Sequence, residues 1–389
     1  MTTDDRYSIG AEEEFFLADA QGLQIARRTS AGFLRDCKEQ MGVRVSRELL
    51  QSQIETNTAV CASIAELGAG MRQLRQRLIQ TADQHDLVVV ASGTYPTADW
   101  GGQRHTQKPR YQKMLEDFQI IGRRNLLCGL HVHVAPPPGV DRIELMNRAL
   151  PWLPLLLALS TSSPFWRRAQ SGLMSYRQAA YDEWPRTGIP DRFEDEDDYA
   201  RFVATLTQAG IIENASHLWW TIRPSMRFPT LELRICDMCP RIADAVALAA
   251  LYRCLLRLLV RRPEIGRGWN SMTRPLIEEN RWLAKRHGVR AELIDVFTGQ
   301  RRSLAECLEE LCTLLSEDVD FFDCRQQIAG LTEIVDRGSS ADRQIAVFQA
   351  ARATGASRLE AGRAVIESLI AESRADLDRV EPQMKSLSG

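Results

Sequence analysis

The chain has no apolar run long enough to cross a membrane. Its longest apolar stretch, residues 149–160, contains two prolines and has only about half of the ~20 residues that a transmembrane helix needs. We therefore interpret it as a buried helix. Residues 1–8 include Asp4 and Asp5 but no apolar segment, so they do not resemble a secretory signal. We expect a cytoplasmic protein with no membrane partner.

The sequence also lacks an excess of charge and a cysteine framework. With 49 basic and 51 acidic residues the net charge is −2, which gives no electrostatic reason to expect nucleic acid as a partner. Nine scattered cysteines are typical of reduced thiols rather than disulfides. Cys236 and Cys239 form one C-x-x-C without a second pair, which argues against structural zinc. We expect small-molecule substrates.

The first part of the chain mixes strand and helix patterns. Its 389 residues are 44% hydrophobic, enough to bury a large core. Alternating apolar residues predict strands at 8–17, 43–60, 87–94 and 126–135, with helices at 63–85 and 111–123. The pattern predicts an irregular α+β beginning.

The later part is increasingly helical. We predict a helix at 142–160, a substrate-covering loop at 162–190, a helix at 194–210, strands at 218–223 and 230–235, and helices at 243–261, 274–287, 304–315, 318–335, 342–354 and 359–379. No repeat or hinge composition divides the chain. We therefore expect one composite catalytic domain over 1–389, with a sheet-rich part, 1–240, and a helical part, 241–389.

Three consecutive carboxylates interrupt the first predicted strand. Because alternate strand side chains share a face, Glu12 and Glu14 point together and Glu13 points away. Neighbouring carboxylates raise each other's pKa unless a cation lies between them. A hard ion such as Mg²⁺ would provide that cation, although an isolated run of this kind is more often a solvated edge strand.

A second polar strand pattern covers residues 48–55. If its period of two is unbroken, residues 49, 51, 53 and 55 share one face, which places Glu55 beside the amides of Gln51 and Gln53. A metal or a nucleotide would satisfy such a face if it were buried. A water-facing strand is the simpler interpretation of this segment alone.

Two further strands carry polar residues at alternate positions. His131 and His133 lie at i and i+2, a spacing that reaches one metal ion but is also found for core histidines. In the last strand Thr230, Glu232 and Arg234 share a face, which offers a metal ligand and a cation for a phosphate or carboxylate. A cross-strand ion pair is the alternative.

Together these segments resemble the bacterial carboxylate-amine ligases of the glutamate-cysteine ligase type 2 family. The similar runs keep the family's order from about residue 8 to about residue 345: GAEEEFFL, QSQIETNTAVC, ASGTYP, RYQ, CGLHVHVA, IRPSMRFPTLELRICD, ENRWLAKRHG and GSSADRQ. The resemblance implies a curved, mainly antiparallel sheet like the catalytic domain of glutamine synthetase, with flanking helices and a helical C-terminal third.

The resemblance also implies a reaction and its cofactors, ATP and Mg²⁺. The carboxylate of one substrate attacks the γ-phosphate, and an amine captures the acyl phosphate, with weak glutamate-cysteine ligase activity as the family's usual label. By the family pattern, we expect metal ligands at Glu12, Glu14, Glu55, Glu232 and His131. Residues that contact phosphate or take part in catalysis are expected at Arg223, Arg234 and His131, and substrate ligands at Arg177, Tyr95 and Arg223. Lys285, on the late basic helix, is a further candidate for the nucleotide phosphates, with an exposed helix end as the alternative.

One position departs from the family pattern. Many relatives have an acid where this chain has Gln51. One metal position is therefore expected either to have fewer charged ligands or to use Glu48 in place of the missing acid. Two other functions stay open at this point: a metal-dependent hydrolase that uses His131 and His133, and a ligand-binding relative without turnover. The resemblance also suggests a homodimer.

Overall fold

A computed structural model describes residues 7–375 and 377. Within this part of the chain eleven strands form one large and two small sheets. The strands are β1 (Ile9–Asp19), β2 (Val45–Arg47), β3 (Gln53–Asn57), β4 (Leu87–Val90), β5 (Leu130–Val134), β6 (Phe165–Trp166), β7 (Ala169–Gln170), β8 (Ile222–Pro224), β9 (Leu231–Leu233), β10 (Glu292–Ile294) and β11 (Arg301–Ser303).

The large sheet has seven strands and is antiparallel at every pairing. Its order is β2-β3-β1-β5-β9-β8, and β4 pairs with the end of β1 beyond β5. The long strand β1 is therefore the centre of the sheet. Each of the four polar segments noted in the sequence contributes a strand to this one sheet.

Fourteen α-helices flank the sheet in the described residues. They are α1 (Ala31–Met41), α2 (Ile64–Asp83), α3 (Pro109–Arg123), α4 (Arg142–Ala149), α5 (Leu153–Ser160), α6 (Tyr176–Tyr181), α7 (Glu196–Gln208), α8 (Ile242–Arg261), α9 (Thr273–His287), α10 (Leu304–Leu314), α11 (Ser316–Phe321), α12 (Arg325–Arg337), α13 (Ser340–Ala353) and α14 (Arg358–Ala375). The predicted fold class, with a mainly antiparallel sheet and a helical C-terminal third, is confirmed.

The helices bury one face of the sheet and leave its other face to the site. Helix α8 is almost entirely buried, and its leucines pack in one core with Val132 of β5 and Leu233 of β9. The last helix returns to the amino-terminal half, where Ile366 packs in a second core with Phe16. Both cores therefore combine residues from the two halves of the sequence.

Several predicted elements are interrupted in the structure. The predicted strand 43–60 divides into β2 and β3 around a turn, and the predicted helix 142–160 divides into α4 and α5 at its prolines, since proline lacks the N–H that continues a helix. The predicted helix 318–335 breaks near Asp323, which has a positive φ of 47°. The predicted loop 162–190 contains the short hairpin β6–β7 and helix α6. The prediction at 376–379 lies outside the described residues except for residue 377.

Candidate active site

The site face of the sheet carries two groups of potential metal ligands. The first consists of Glu12, His131 and Glu232, whose ligand atoms lie within 4.8 Å of one another. Strand pairing produces this group, because Glu12 lies opposite His131 on β5 and Glu232 lies on the next strand, β9. A Glu12 oxygen lies 3.2 Å from His131 Nδ1.

The second group consists of Glu14, Glu48 and Glu55, again within 4.8 Å of one another. Glu14 and Glu55 are directly opposite on β1 and β3. Glu48 comes from the segment between β2 and β3. Ser46 and Asn57 donate hydrogen bonds of 3.2 and 2.8 Å to a Glu55 oxygen, and these bonds orient that carboxylate.

The two groups differ in charge balance. Burial and then the nearby Glu14 raise the pKa of Glu48 to about 7, and burial with the Glu48 charge raises the pKa of Glu55 well above its usual value. In the first group burial also opposes ionisation of Glu12. The hydrogen bonds from His131 and His133 outweigh it and hold the pKa of Glu12 well below its usual value. The second group therefore has the stronger need for a cation.

Arginines neutralise Glu232. Burial opposes its ionisation, but Arg234 and Arg223 lower its pKa. The Arg223 Nε donates to one Glu232 oxygen at 2.7 Å, and Arg234 donates to the other. Buried side-chain nitrogens without a hydrogen-bond partner in the described residues include the Nε of Arg177, the Nε of Arg234 and the Nε2 of His131. These atoms are free to bind a ligand.

A cavity of about 400 Å³ lies above these residues. Its floor includes Glu12, Glu14, Glu48 and Glu55. Basic side chains also line it: Lys108, Arg110, Arg177, Arg223, Arg227 and Arg234. Carboxylates next to arginines can hold metal ions and polyanionic phosphates in one place. The cavity therefore has the chemistry of a phosphoryl-transfer site.

Comparison with known proteins agrees with this chemistry. The model of the family described as glutamate-cysteine ligase family 2 matches residues 8–365. The chain belongs to this family. It is 43% identical over 366 residues to a protein of Ectopseudomonas mendocina, covering 94% of this chain and 97% of that one. It is 42% identical over 375 residues to a protein of Rhodospirillum rubrum, covering 95% and 96%. Both relatives bear the provisional name glutamate-cysteine ligase 2.

A solved structure shares the fold. The glutamate-cysteine ligase of Francisella tularensis, in complex with AMP, superimposes with a TM-score of 0.65 at 11% identity over 96% of this chain and 93% of that one. Membership of the glutamate-cysteine ligase family 2 confirms the predicted resemblance and the predicted enzyme class, an ATP-dependent carboxylate-amine ligase. No helix in the described residues is long and apolar enough to span a membrane.

The structure brings most of the predicted site residues of this family member together. The expected metal ligands and Arg223, Arg234 and Arg177 all lie at the two groups or line the cavity. Arg177 is 2% exposed, and its Nη1 donates to the carbonyl of Cys236 at 3.1 Å. This bond holds Arg177 against the segment that follows β9, with its Nε still unpaired.

Two predicted residues lie elsewhere. Tyr95 is buried in the core, where its hydroxyl donates to the Leu23 carbonyl at 2.7 Å, so the structure does not bring Tyr95 to the cavity. Lys285 is also buried, and its Nζ pairs with Asp182 at 2.7 Å. Lys285 does not line the cavity, and its nucleotide-binding role stays a prediction.

The segment 48–55 corrects a third expectation. A turn at 51–52 breaks the assumed period of two, so Gln51 leaves the strand face and its amide donates to the His105 carbonyl at 2.9 Å. The Gln53 amide donates to the Leu127 carbonyl at 2.6 Å. Glu48, considered only as a substitute for the acid missing at Gln51, completes the second group.

Other cavity residues were not chosen as candidates from the sequence, although Arg110 and Arg227 lie within the runs RYQ and IRPSMRFPTLELRICD. Lys108 and Arg110 at the start of α3, and Arg227 in the β8–β9 turn, reach the cavity only through the folded chain. Tyr181 had a usable signal, because it follows Arg177 by four residues and such positions share a helix face, whereas Trp184 lies beyond the end of α6.

Proposed function

We propose that this chain joins the carboxylate of an amino acid to an amine in an ATP- and Mg²⁺-dependent reaction through an acyl phosphate. The observation that carries the proposal is the pair of three-residue groups on one sheet face, beside the unpaired Nε atoms of Arg177 and Arg234. Weak glutamate-cysteine ligase activity is the expected specific reaction.

The donor set fits Mg²⁺. Five carboxylates and one imidazole make up the two groups, and oxygen ligands are those that Mg²⁺ prefers. The raised pKa values of Glu48 and Glu55 support this assignment, since crowded carboxylates ionise readily only beside a cation. Bound there, Mg²⁺ would neutralise charge on the transferring phosphoryl group.

A separate crevice offers a place for the nucleotide base. It has a volume of about 320 Å³ and lies between β1, the residues after β3 and the β8–β9 turn. Glu12 borders both this crevice and the main cavity. An adenine bound in the crevice, against apolar groups such as Val60 and Phe228, would direct its phosphates toward the first group of ligands.

The chain's own residues orient the reaction. The donor carboxylate oxygen bonds to the γ-phosphorus and the bond to the ADP oxygen breaks; the amine nitrogen then bonds to the acyl carbon, and phosphate and one proton leave. Arg223 and Arg234, held in place by Glu232, would stabilise negative charge in both steps. Arg177 would bind a substrate carboxylate.

The geometry disfavours the hydrolase alternative. Nδ1 of His133 lies 3.2 Å from Thr230 Oγ1, and its Nε2 lies 3.3 Å from a Glu12 oxygen. His133 is not part of either three-residue group. His131 and His133 therefore do not form the shared metal site that a hydrolase based on H-x-H would need.

A coupled assay tests the function. We expect purified protein with MgCl₂ and ATP to release ADP only when both an amino acid and an amine are added, and mass spectrometry should detect the amide. Glu55→Gln should abolish this release. ADP release without amide, in the presence of every pair tried, would contradict a ligase.

A further inference from the structure

Helix α6, which carries Arg177, is too short to hold its own position. It has six residues, Tyr176–Tyr181, and helices shorter than about 12 residues are marginal in water without tertiary contacts. Arg177 lies in its first turn, lines the main cavity and has an unpaired Nε. The residues that fix α6 therefore also determine where the proposed substrate ligand points.

The segment after β9 fixes the first turn of α6. The hydroxyl of Ser175, the N-cap residue, donates to Asp237 Oδ1 at 2.9 Å. The Gln178 amide donates to the Ile235 carbonyl at 2.8 Å. The other end of α6 is held by a different element, helix α9.

Two cations of α9 hold the end of α6. Asp182, the C-cap residue of α6, lies 2.8 Å from Arg281 Nη1 and 2.7 Å from Lys285 Nζ. Arg281 also pairs with Glu278 at 2.8 Å, so two cations face two carboxylates. Arg281 and Lys285 are four residues apart and share a helix face. They are 6% and 7% exposed, and breaking such a pair is costly because a buried charge loses its partner.

Lys285 also holds the start of α6. Its carbonyl accepts hydrogen bonds from the Met174 N–H at 2.7 Å and from the Ser175 N–H at 3.1 Å. Carbonyl groups in the last turn of a helix have no partner within that helix, so this one is available to a neighbouring segment. One residue of α9 thus bonds to both ends of α6, through its backbone at one end and its side chain at the other.

We propose that Asp182, Arg281 and Lys285 are positioning residues that orient Arg177 toward a substrate carboxylate. This inference rests on the proposed ligase function. None of the three lines the main cavity, so they act through α6 and not by contact with a substrate. A displacement of about 1 Å is enough to misalign a substrate contact. The late basic helix thereby serves the carboxylate substrate rather than the nucleotide phosphates.

Steady-state kinetics separate these two roles. The substrates are ATP, MgCl₂, glutamate and cysteine, or the most reactive pair from the coupled assay. Lys285→Met and Asp182→Asn should each raise the KM for the carboxylate substrate about tenfold, the effect of losing one charge-assisted contact. The values of kcat and of the KM for ATP should stay within about twofold of wild type. A raised KM for ATP with an unchanged KM for the carboxylate substrate would assign Lys285 to the nucleotide and overturn the proposal.

A matched ion pair elsewhere separates positioning from stability. Asp318 lies 2.6 Å from Arg257 Nη1 and 2.8 Å from Arg261 Nη2, and these arginines are also four residues apart on one helix. Asp318 joins α11 to α8 and does not line the cavity. Asp318→Asn should lower the Tm and leave both KM values unchanged. Equal rises of KM in Asp318→Asn and Asp182→Asn would overturn the proposal.

A double-variant cycle tests whether Asp182 and Lys285 act together. In the variant that combines Asp182→Asn with Lys285→Met, the KM for the carboxylate substrate should not exceed that of the single variant with the higher KM, because both changes remove one contact. An increase equal to the product of the two single increases would overturn the proposal. If a single variant does not fold, the double variant, which leaves neither charge of this pair unpaired, should itself show the tenfold rise.

Hydrogen exchange gives a readout that needs no turnover. Without substrate, the backbone amides of residues 176–182 should exchange about tenfold faster in Lys285→Met than in wild type, whereas Asp318→Asn should match wild type there. Unchanged exchange in Lys285→Met would overturn the proposal. A wild-type protein that ligates no pair but shows this exchange pattern would contradict the ligase function and still support the hold of α9 on α6.

Discussion

At the residue scale, three consecutive glutamates have two different environments. Glu12 and Glu14 face the cavity, whereas Glu13 faces the core, where it forms an ion pair with Arg75 at 2.5 Å. Arg75 also donates to the carbonyls of Cys239 and Pro240, so one arginine links α2, β1 and the segment before α8. The alternation predicted from the sequence is confirmed, and it separates a structural acid from two site acids.

Substitution of the structural acid should affect stability more than catalysis. Glu13→Gln leaves the Arg75 charge unpaired in the core, and we expect a loss of about 3 kcal/mol in the free energy of unfolding, measured in urea. The activity of the folded variant should stay within a few-fold of wild type. Glu14→Gln should show the reverse, with an activity loss of about a hundredfold. Equal losses of activity at both positions would contradict this division.

The pKa of Glu48 predicts the pH dependence of stability without metal. Glu48 titrates near ~4.3 in the unfolded chain and near about 7 in the folded protein. Because the folded state binds this proton more tightly, protonated Glu48 contributes to the free energy of unfolding. That contribution is complete below the unfolded pKa and is lost as the pH rises through about 7. Thermal unfolding in EDTA should therefore give a Tm that falls across this range.

Added MgCl₂ should reverse that loss, because the cation replaces the proton. The increase in Tm caused by MgCl₂ should be largest above about pH 7, where Glu48 would otherwise be an uncompensated charge. Glu48→Gln serves as the control and should make the fall of Tm with pH in EDTA less steep, with Glu55, whose pKa is also raised, supplying the remainder. A Tm that rises with pH in EDTA would contradict the assignment.

At the element scale, the start of β5 determines where α6 places its arginine. A Cβ at Gly129 would overlap Nη2 of Arg177, and the Gly129 N–H donates to a Glu14 oxygen at 2.6 Å. Glycine is needed here for close approach rather than for an unusual φ. One backbone position therefore orients a predicted substrate ligand and a predicted metal ligand.

Gly129→Ala should displace the Arg177 guanidinium. We expect the KM for the carboxylate substrate to rise about tenfold, which is the effect of losing one charge-assisted contact. The Tm should change little, because the end of the Arg177 side chain can move. Gly330→Ala is the control: its Cβ would meet open space within α12, and it should add up to about 1 kcal/mol of stability with unchanged kinetics. An unchanged KM for the carboxylate substrate in Gly129→Ala would contradict the assignment of Arg177 as a substrate ligand.

At the scale of the whole molecule, the sheet and the carboxy-terminal helices share their cores. Because α8 packs on the sheet and α14 packs beside Phe16, we predict a single cooperative unfolding transition. Far-ultraviolet circular dichroism and tryptophan fluorescence should report the same midpoint in urea. A fragment of residues 1–240 should fail to fold, since it would expose the apolar face that α8 covers. Two separated transitions would contradict the predicted single composite domain. The homodimer stays a prediction that sedimentation can test.

The sequence by itself determined the face alternation of β1, the order of the family motifs and the enzyme class, because strand periodicity and motif order are local properties. Tertiary structure decided which acids meet. Glu48 joins Glu14 and Glu55 only because a turn at 51–52 redirects the chain, and Tyr95 and Lys285 are occupied by core partners that no local pattern reveals. The cavity likewise exists only where the sheet, α3, α6 and the segment before β8 converge, since contacts between distant segments depend on the packing of the whole chain.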